Sequence, residues 1–349
     1  MNKYPQWTFN VLNLANEPIK ARYLSLLNKI TRGSEKIVPL SFIAPFAKNK
    51  AYKWQLRKAK AAKADCYIAH NLGALPVSVN AAKFLRTKCG FDAEDYHRYE
   101  VSDLEYHPDV ILNRYLEDKY IPQLDYLTGS SPLIAASYSE LFKLPCTCIL
   151  NVFNKTNNRL YSHHTRALKL FWFSQTIGIN RGIETIIKAL NLTKNRFEFH
   201  LLGTVDQKYA KALTFLVNSK SRLYFHAPMM PDDIFEFATQ FDIGLASEPG
   251  FSMNNNYALS NKIFTYVQAG LAVVASNTPA QKHLLDQNND IGMLYKNNDA
   301  KHLADVLDTY YGNRPLLYQH SINAFNLGQS ELNWEKESRK FMDIISSII

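Results

Sequence analysis

FWFSQTIGINRGIE, residues 171–184, carries the chain from strand to helix through a polar loop. Phe171, Trp172 and Phe173 are bulky strand formers, Gly178 and Gly182 relax the backbone, and Ile183, Ile186, Ile187 and Leu190 recur at helical spacing. Unpaired amides at a helix start attract anions, and Arg181 adds a full charge with a forked donor set. Ser174, Gln175, Thr176, Gly178 and Arg181 are therefore candidates to hold a phosphate. Many strand–loop–helix turns carry Gly and Arg for geometry and solubility alone, so the loop needs a second signal.

That signal lies downstream. Residues 242–247 (DIGLAS) read as a buried strand, residues 248–257 as a polar loop, and a helix follows from Asn261 with Ser260 as its N-cap. Lys262 sits in the first turn, where a cation is unfavourable unless an anion is present; the plainer reading is a solvated lysine. Gly270 stops the helix and AVVAS, residues 272–276, is another short strand. Two turns of this kind in one domain suit a nucleotide diphosphate.

Residues 259–276, LSNKIFTYVQAGLAVVAS, together with the loop at 171–184, resemble the donor-binding domain of the family-4-type retaining GT-B glycosyltransferases. The SQTIG-x-x-RG-x-E and SNKIFTY signatures would mark a divergent subfamily. The resemblance implies an α/β fold of two Rossmann-like, doubly wound parallel-sheet domains facing a cleft, with the N-terminal domain short. The family's diphosphate-binding Arg and Lys fall on Gln175 and Arg181, and its paired glutamates fall on Tyr257 and Thr265. Thr265 would offer one hydroxyl to the ribose, and Tyr257 or Glu248 would stand near the donor sugar. By the same resemblance Gly203 and Met229 lie near the base, and Leu259, Ser260, Asn261 and Lys262 at the diphosphate. Arg181 and Lys262 would neutralise the leaving group without a metal, the donor being a UDP- or GDP-linked sugar and no other cofactor being needed.

In the N-terminal half, residues 65–70 (DCYIAH) and the start of residues 89–100 (CGFDAEDYHRYE) read as strands whose ends carry polar residues. The resemblance aims these ends at the acceptor, with His70, Asn71, Asp92, Glu94 and His97 on the acceptor side and Asp95 or His97 assisting proton movement. The alternative is an exposed acidic loop beside Arg98. Residues 8–14 (TFNVLNL) are the one candidate for the family's first strand, so the domain is reduced or the chain lacks an initial βα portion. The expected division is an acceptor-side domain at 1–160, a donor domain at 161–325, and a C-terminal helix at 326–349 packing back across both, with Trp334 as a packing anchor.

Length favours two domains, since single cores rarely grow past roughly 250–300 residues and this chain has 349. No apolar run approaches a membrane span, and the start lacks a signal-peptide pattern. Both indicate a cytoplasmic protein. Cys66, Cys89, Cys146 and Cys148 have poor zinc spacing and read as small buried residues, so no metal site is expected. His163 and His164 read as linker.

Residues 1–160 hold 22 Lys and Arg against 14 Asp and Glu, whereas residues 161–349 are nearly balanced. Seven of those bases fall in residues 48–63, KNKAYKWQLRKAKAAK, without an acid. This reads either as one basic helix at an anionic membrane surface or as a solvated helix with Trp54 and Leu56 turned to the core. No groove-reading motif accompanies the charge, which argues against nucleic acid. The expected function is transfer of a hexose from a nucleotide-diphosphate sugar to a saccharide or lipid-linked acceptor, in polysaccharide or glycoconjugate synthesis. The alternatives are a catalytically inactive GT-B-like nucleotide-binding or partner protein and a different nucleotide-sugar enzyme, such as an epimerase.

Overall fold

The computed structural model describes residues 6, 8–33, 38–156, 167–218 and 220–349. His163 and His164 lie outside the described residues. The chain forms two compact units. Met1–Gly129, Ile134–Thr147 and Ile344–Ile349 make the first, and Ser130–Leu133 with Cys148–Asp343 the second.

The N-terminal half begins with three helices, α1 (Pro18–Gly33), α2 (Leu40–Lys48) and α3 (Tyr52–Ala62). Strands and helices then alternate as β1 (Cys66–Ala69), α4 (Leu75–Leu85), β2 (Lys88–Ala93), α5 (Pro108–Tyr120), β3 (Tyr126–Gly129), α6 (Pro132–Phe142) and β4 (Cys146–Cys148). The sheet order is β1-β2-β3-β4. Parallel register sets Ala69 beside Phe91 and Asp92 beside Thr128, so the polar residues after β1 and at the end of β2 emerge on one sheet edge.

Three expectations are corrected in this half. Residues 8–14 form no strand, and the sheet begins at Cys66. Residues 48–63 are not one helix: α2 ends at Lys48, Asn49 is extended (φ −133°, ψ 102°), and α3 starts at Tyr52. The Asn49 side chain holds this break by donating to Gly73 O (2.9 Å) and Gln55 Oε1 (2.6 Å) and accepting from the Ala51 amide. Of the cysteines, only Cys89 is buried; Cys66, Cys146 and Cys148 are intermediate. Burial nevertheless pushes the Cys89 thiol up to about 11 and Cys148 up to about 12, which leaves both poor nucleophiles.

The second half runs β5 (Leu168–Ile177), α7 (Ile183–Leu192), β6 (Phe197–Val205), α8 (Gln207–Leu216), β7 (Arg222–His226), α9 (Pro231–Ala238), β8 (Ile243–Ala246), α10 (Met253–Tyr257), α11 (Asn261–Ala269), β9 (Ala272–Ser276), α12 (Pro279–Gln287), β10 (Gly292–Tyr295), α13 (Ala300–Gly312), α14 (Arg314–Ser330) and α15 (Trp334–Ile348). Its sheet, β10-β9-β8-β5-β6-β7, is parallel throughout. Chain order reverses between β5 and β8, the switch point at which loops from adjacent strands diverge and leave a crevice.

Alternation along β5 feeds two cores. Leu168, Leu170 and Trp172 pack with α7 and α13 on one face, while Phe171 and Phe173 pack with α11 and the Phe237–Phe241 group on the other. Phe171 stacks on Phe241 at 4.6 Å. Ile183, Ile186, Ile187 and Leu190 of α7 are all buried, each contributing about 1.5–3 kcal/mol relative to exposure. Trp334 is 40% exposed and is no packing anchor. That role falls to its neighbours: buried Asn333 donates to Gly328 O, and buried Glu337 accepts from the Leu150 amide. Among the described residues no helix is long and apolar enough to cross a membrane.

Candidate functional site

In the second unit, β5 carries a register shift between Phe173 and Thr176, so Ser174, Gln175 and Thr176 belong to the strand's irregular tip rather than to the loop. The loop proper spans Gly178 to Gly182. Gly182 is left-handed (φ 76°) at the N-cap of α7, and a Cβ there would overlap the Ser247 carbonyl oxygen. Ser247 Oγ donates to Arg181 O (3.3 Å), which ties the loop to the end of β8. The Arg181 side chain is exposed, and no described side chain hydrogen-bonds its guanidinium, but its charge is felt at Glu248.

Glu248 follows β8. Its Oε1 accepts from Ser260 Oγ (2.8 Å) and from Lys262 Nζ (2.8 Å), and both charged side chains are largely buried. Burial alone would raise this carboxyl; the Lys262 charge and hydrogen bond, the Ser260 hydroxyl and the Arg181 charge outweigh it and hold the group below the usual value. Lys262 Nζ also lies 5.3 Å from the Trp172 ring centroid. Lys262 is thus a fixed cation and not a solvated one.

Ser260 occupies the N-cap position of α11 but makes no side-chain cap to its amides, because the hydroxyl is committed to Glu248. The Ile263 amide donates to Ser260 O (3.0 Å), which leaves the amides of Asn261 and Lys262 at the helix start without a side-chain cap. The preceding loop is braced: Asn297 Nδ2 donates to Pro249 O, and Ser252 Oγ caps α10 by accepting from the Asn255 amide. Gly203, at φ 148°, lets β6 approach Ser174, where a Cβ would overlap the Ser174 carbonyl oxygen. Met229 is half-buried against the second core cluster, and Leu259 is buried in it. Tyr257 ends α10 and is half-buried, while Thr265 is buried within α11 with 2% exposure.

In the first unit, Asp92 is the hub of the strand ends. Its Oδ1 accepts from Thr128 Oγ1 (2.8 Å), and its Oδ2 lies 3.1 Å from His70 Nδ1. The hydrogen bond to Asp92 raises the His70 pKa above its ordinary value. Asn71 is spent locally, its Oδ1 accepting from the Ala74 amide ahead of α4. A cavity of about 400 Å³ is lined by Asn71, Glu94, Asp95, His97 and Glu100 from these strand ends, and by Lys48, Asn49 and Gln55 from α2, α3 and their junction.

His97 lies in a short 3-10 turn and its ring is buried, stacked 5.7 Å from Phe91. Its Nδ1 is 2.9 Å from Glu100 Oε2, its amide donates to Tyr138 Oη, and its carbonyl accepts from Asn113 Nδ2. The His97 hydrogen bond holds the Glu100 carboxyl below its usual range. Ligand atoms of Asp95, His97 and Glu100 lie within 4.8 Å of one another and are the one set among the described residues that could gather around a metal ion. Glu94 and Glu100 are exposed, as the acidic-loop alternative has them, but Arg98 does not lie in the open beside them. It is buried against the fully buried Glu117 (Nε to Oε2 2.9 Å), which also accepts from Tyr138 Oη (2.7 Å).

Comparison with known proteins adds three findings. Residues 168–313 match the family model described as Glycosyl transferases group 1. The crystal structure of Anabaena HepE in complex with UDP and glucose superposes with a TM-score of 0.68 at 15% identity, covering 89% of this chain and 83% of that one. A glycosyltransferase from Rickettsia africae gives 0.67 at 15% identity, over 87% and 82% of the two chains. Sucrose-phosphate synthase from Thermosynechococcus elongatus gives 0.63 at 13% identity, over 85% and 79%. The fold of the whole chain is therefore GT-B. Comparison with curated proteins finds no match.

Within the matched segment, Arg181, Glu248, Ser260 and Lys262 converge at the β5–β8 switch point. Gln175 and Thr176 lie exposed at the neighbouring strand tip. Sequence reasoning missed Ser247 and Trp172, which brace Arg181's backbone and Lys262's charge. In the first unit it missed Lys48, Asn49 and Gln55, which read only as members of a basic run. Their placement depends on Gly73 and Asn113, to which Asn49 and Lys48 bond, and no local pattern encodes those partners.

Proposed function

We propose that the protein transfers a hexose from a UDP- or GDP-linked sugar to a saccharide or lipid-linked acceptor, with retention of anomeric configuration, in polysaccharide or glycoconjugate assembly. The observation that carries this reading is the diversion of the Ser260 hydroxyl to Glu248, which leaves the first turn of α11 uncapped beside a fixed Lys262. An ammonium has three donors; two point at Glu248 and Ser260, and the third is available to a phosphate oxygen. Arg181 supplies a second, forked cation across the loop. These groups meet the charge that develops on the diphosphate as the bond from the sugar C1 to the phosphate oxygen breaks. The acceptor oxygen bonds to C1 on the same face, and its proton passes to the departing diphosphate. No metal is required when two cations and the helix amides share that charge.

HepE, seen with UDP and glucose, supports the same class of donor. On the acceptor side, His70–Asp92, Glu94 and Asp95 would hydrogen-bond sugar hydroxyls. Buried His97, bonded to Glu100, would orient that carboxylate rather than itself carry the proton. Thr265 and Tyr257 favour a second reading, binding without transfer, because neither supplies a carboxylate where the resembled family has one. Proton NMR of UDP- and GDP-hexoses mixed with the chain and a panel of saccharide and polyprenyl-phosphate acceptors separates the two. We expect a product with the donor's anomeric coupling; tight donor binding with no product from any pair would leave the second reading.

A further inference from the structure

Helix α1 has sixteen residues and not one of them is buried. Ile19, Tyr23, Leu26 and Ile30 follow at helical spacing along one face and are 57–85% exposed. On the other side Asn28 Nδ2 donates to Phe46 O (2.7 Å) and Ala47 O (2.9 Å), fastening α1 to the last carbonyls of α2, and Arg32 pairs with Asp109. Polar contacts thus orient the helix with its apolar stripe outward. Phe42 of α2 is 72% exposed, and a groove of about 660 Å³ runs beside it between α1, α2 and α3, with Leu24, Leu27, Phe46 and Trp54 in its walls and Lys50, Lys53 and Arg57 among its lining residues.

Charge decides what covers this face. The three helices carry nine Lys and Arg and no Asp or Glu. Arg22 and Lys29 flank one edge of the α1 stripe and Lys20 the other. Glu17, just ahead of α1, pairs with Lys20 (2.8 Å), while no such partner holds Arg22 and Lys29 among the described residues; an apolar stripe with this cationic excess is complementary to a surface that is anionic outside and hydrocarbon within.

We propose that α1, Phe42 and the groove form a docking surface for an anionic lipid bilayer. The apolar stripe enters the boundary between headgroups and acyl chains, the α3 cations meet lipid phosphates, and the groove takes acyl-chain segments. This places the contact on α1 and α2, with the basic segment at 48–63 as its rim. The surface belongs to the first unit, so its test and that of the donor site fail independently.

The test is flotation of the full chain with phosphatidylcholine vesicles and with equimolar phosphatidylcholine and phosphatidylglycerol. The anionic vesicles should bind at least about tenfold better, less so as salt rises. The triple variant Ile19→Ser, Ile30→Ser, Phe42→Ser should lose about tenfold or more of that binding with an unchanged melting temperature, because all three side chains are exposed. Lys53→Gln with Arg57→Gln should lose binding to anionic vesicles selectively. Equal binding to both vesicle types, no binding to either, or full binding by the triple variant would overturn the proposal. So would a wild-type dimer that the triple variant dissociates, since a second copy would then cover the face.

Discussion

At Glu248 one carboxylate is shared between a lysine and a serine, and the consequences run in opposite directions for stability and for ligand binding. The pair is largely buried, so removing Lys262 leaves an uncompensated charge, which costs about 3–5 kcal/mol where burial is complete. Lys262→Met should therefore lower the urea midpoint sharply at neutral pH. In the wild type Glu248 titrates below its usual value of 4.5, so its contribution is complete above about that pH and fades as pH falls through the folded value. In the variant the lone carboxylate titrates higher, and protonating it removes the penalty. The gap between the two proteins should narrow as pH falls toward 4. A small gap that does not change with pH would show that the pair behaves as a solvated one. Sequence showed Lys262 as anomalous at a helix start, yet gave no partner, because Glu248 lies fourteen residues earlier beyond a separate helix. Arg98 was less legible: in sequence it stands beside acids of its own loop, whereas its buried partner Glu117 comes from α5.

The β5–α7 connection shows what makes an element legible and what does not. Apolar runs bounded by glycine and polar residues marked β5, β8 and β9 of the second sheet, because buried parallel strands need such runs. The same apolar signal misled at residues 8–14, which pair with no strand among the described residues. The break at Asn49 was invisible for a related reason, since it is held by Gly73 from across the unit. At Gly182 local and distant demands coincide: a positive φ and no room beside Ser247 O. Gly182→Ala should destabilise the second unit by about 1–3 kcal/mol from backbone strain alone, and more from the overlap. It should also displace Arg181 and weaken nucleotide binding. Thermal unfolding and nucleotide titration of this variant check both effects, and wild-type values for both would show that the loop is not pinned as described.

Across the whole molecule, two parallel sheets mark an N-terminal half rich in cations and a C-terminal half in which Arg181, Glu248, Ser260 and Lys262 converge. Charge asymmetry and the two strand–loop–helix turns are the features of the sequence that distinguish the two halves. Side-chain pairing, which turns a list of polar residues into a site, was not readable. The central claim is that the switch point between β5 and β8 binds a nucleotide diphosphate through α11, Lys262 and Arg181. Calorimetric titration of the chain and of Arg181→Ala with UDP, GDP and ADP tests it most directly. The account predicts saturable binding of UDP or GDP to the wild type and, from loss of a charge-assisted contact worth about 1.5–3 kcal/mol, a dissociation constant raised roughly ten- to more than a hundredfold in the variant. An unchanged dissociation constant in Arg181→Ala, or no binding of any of the three to the wild type, would contradict it.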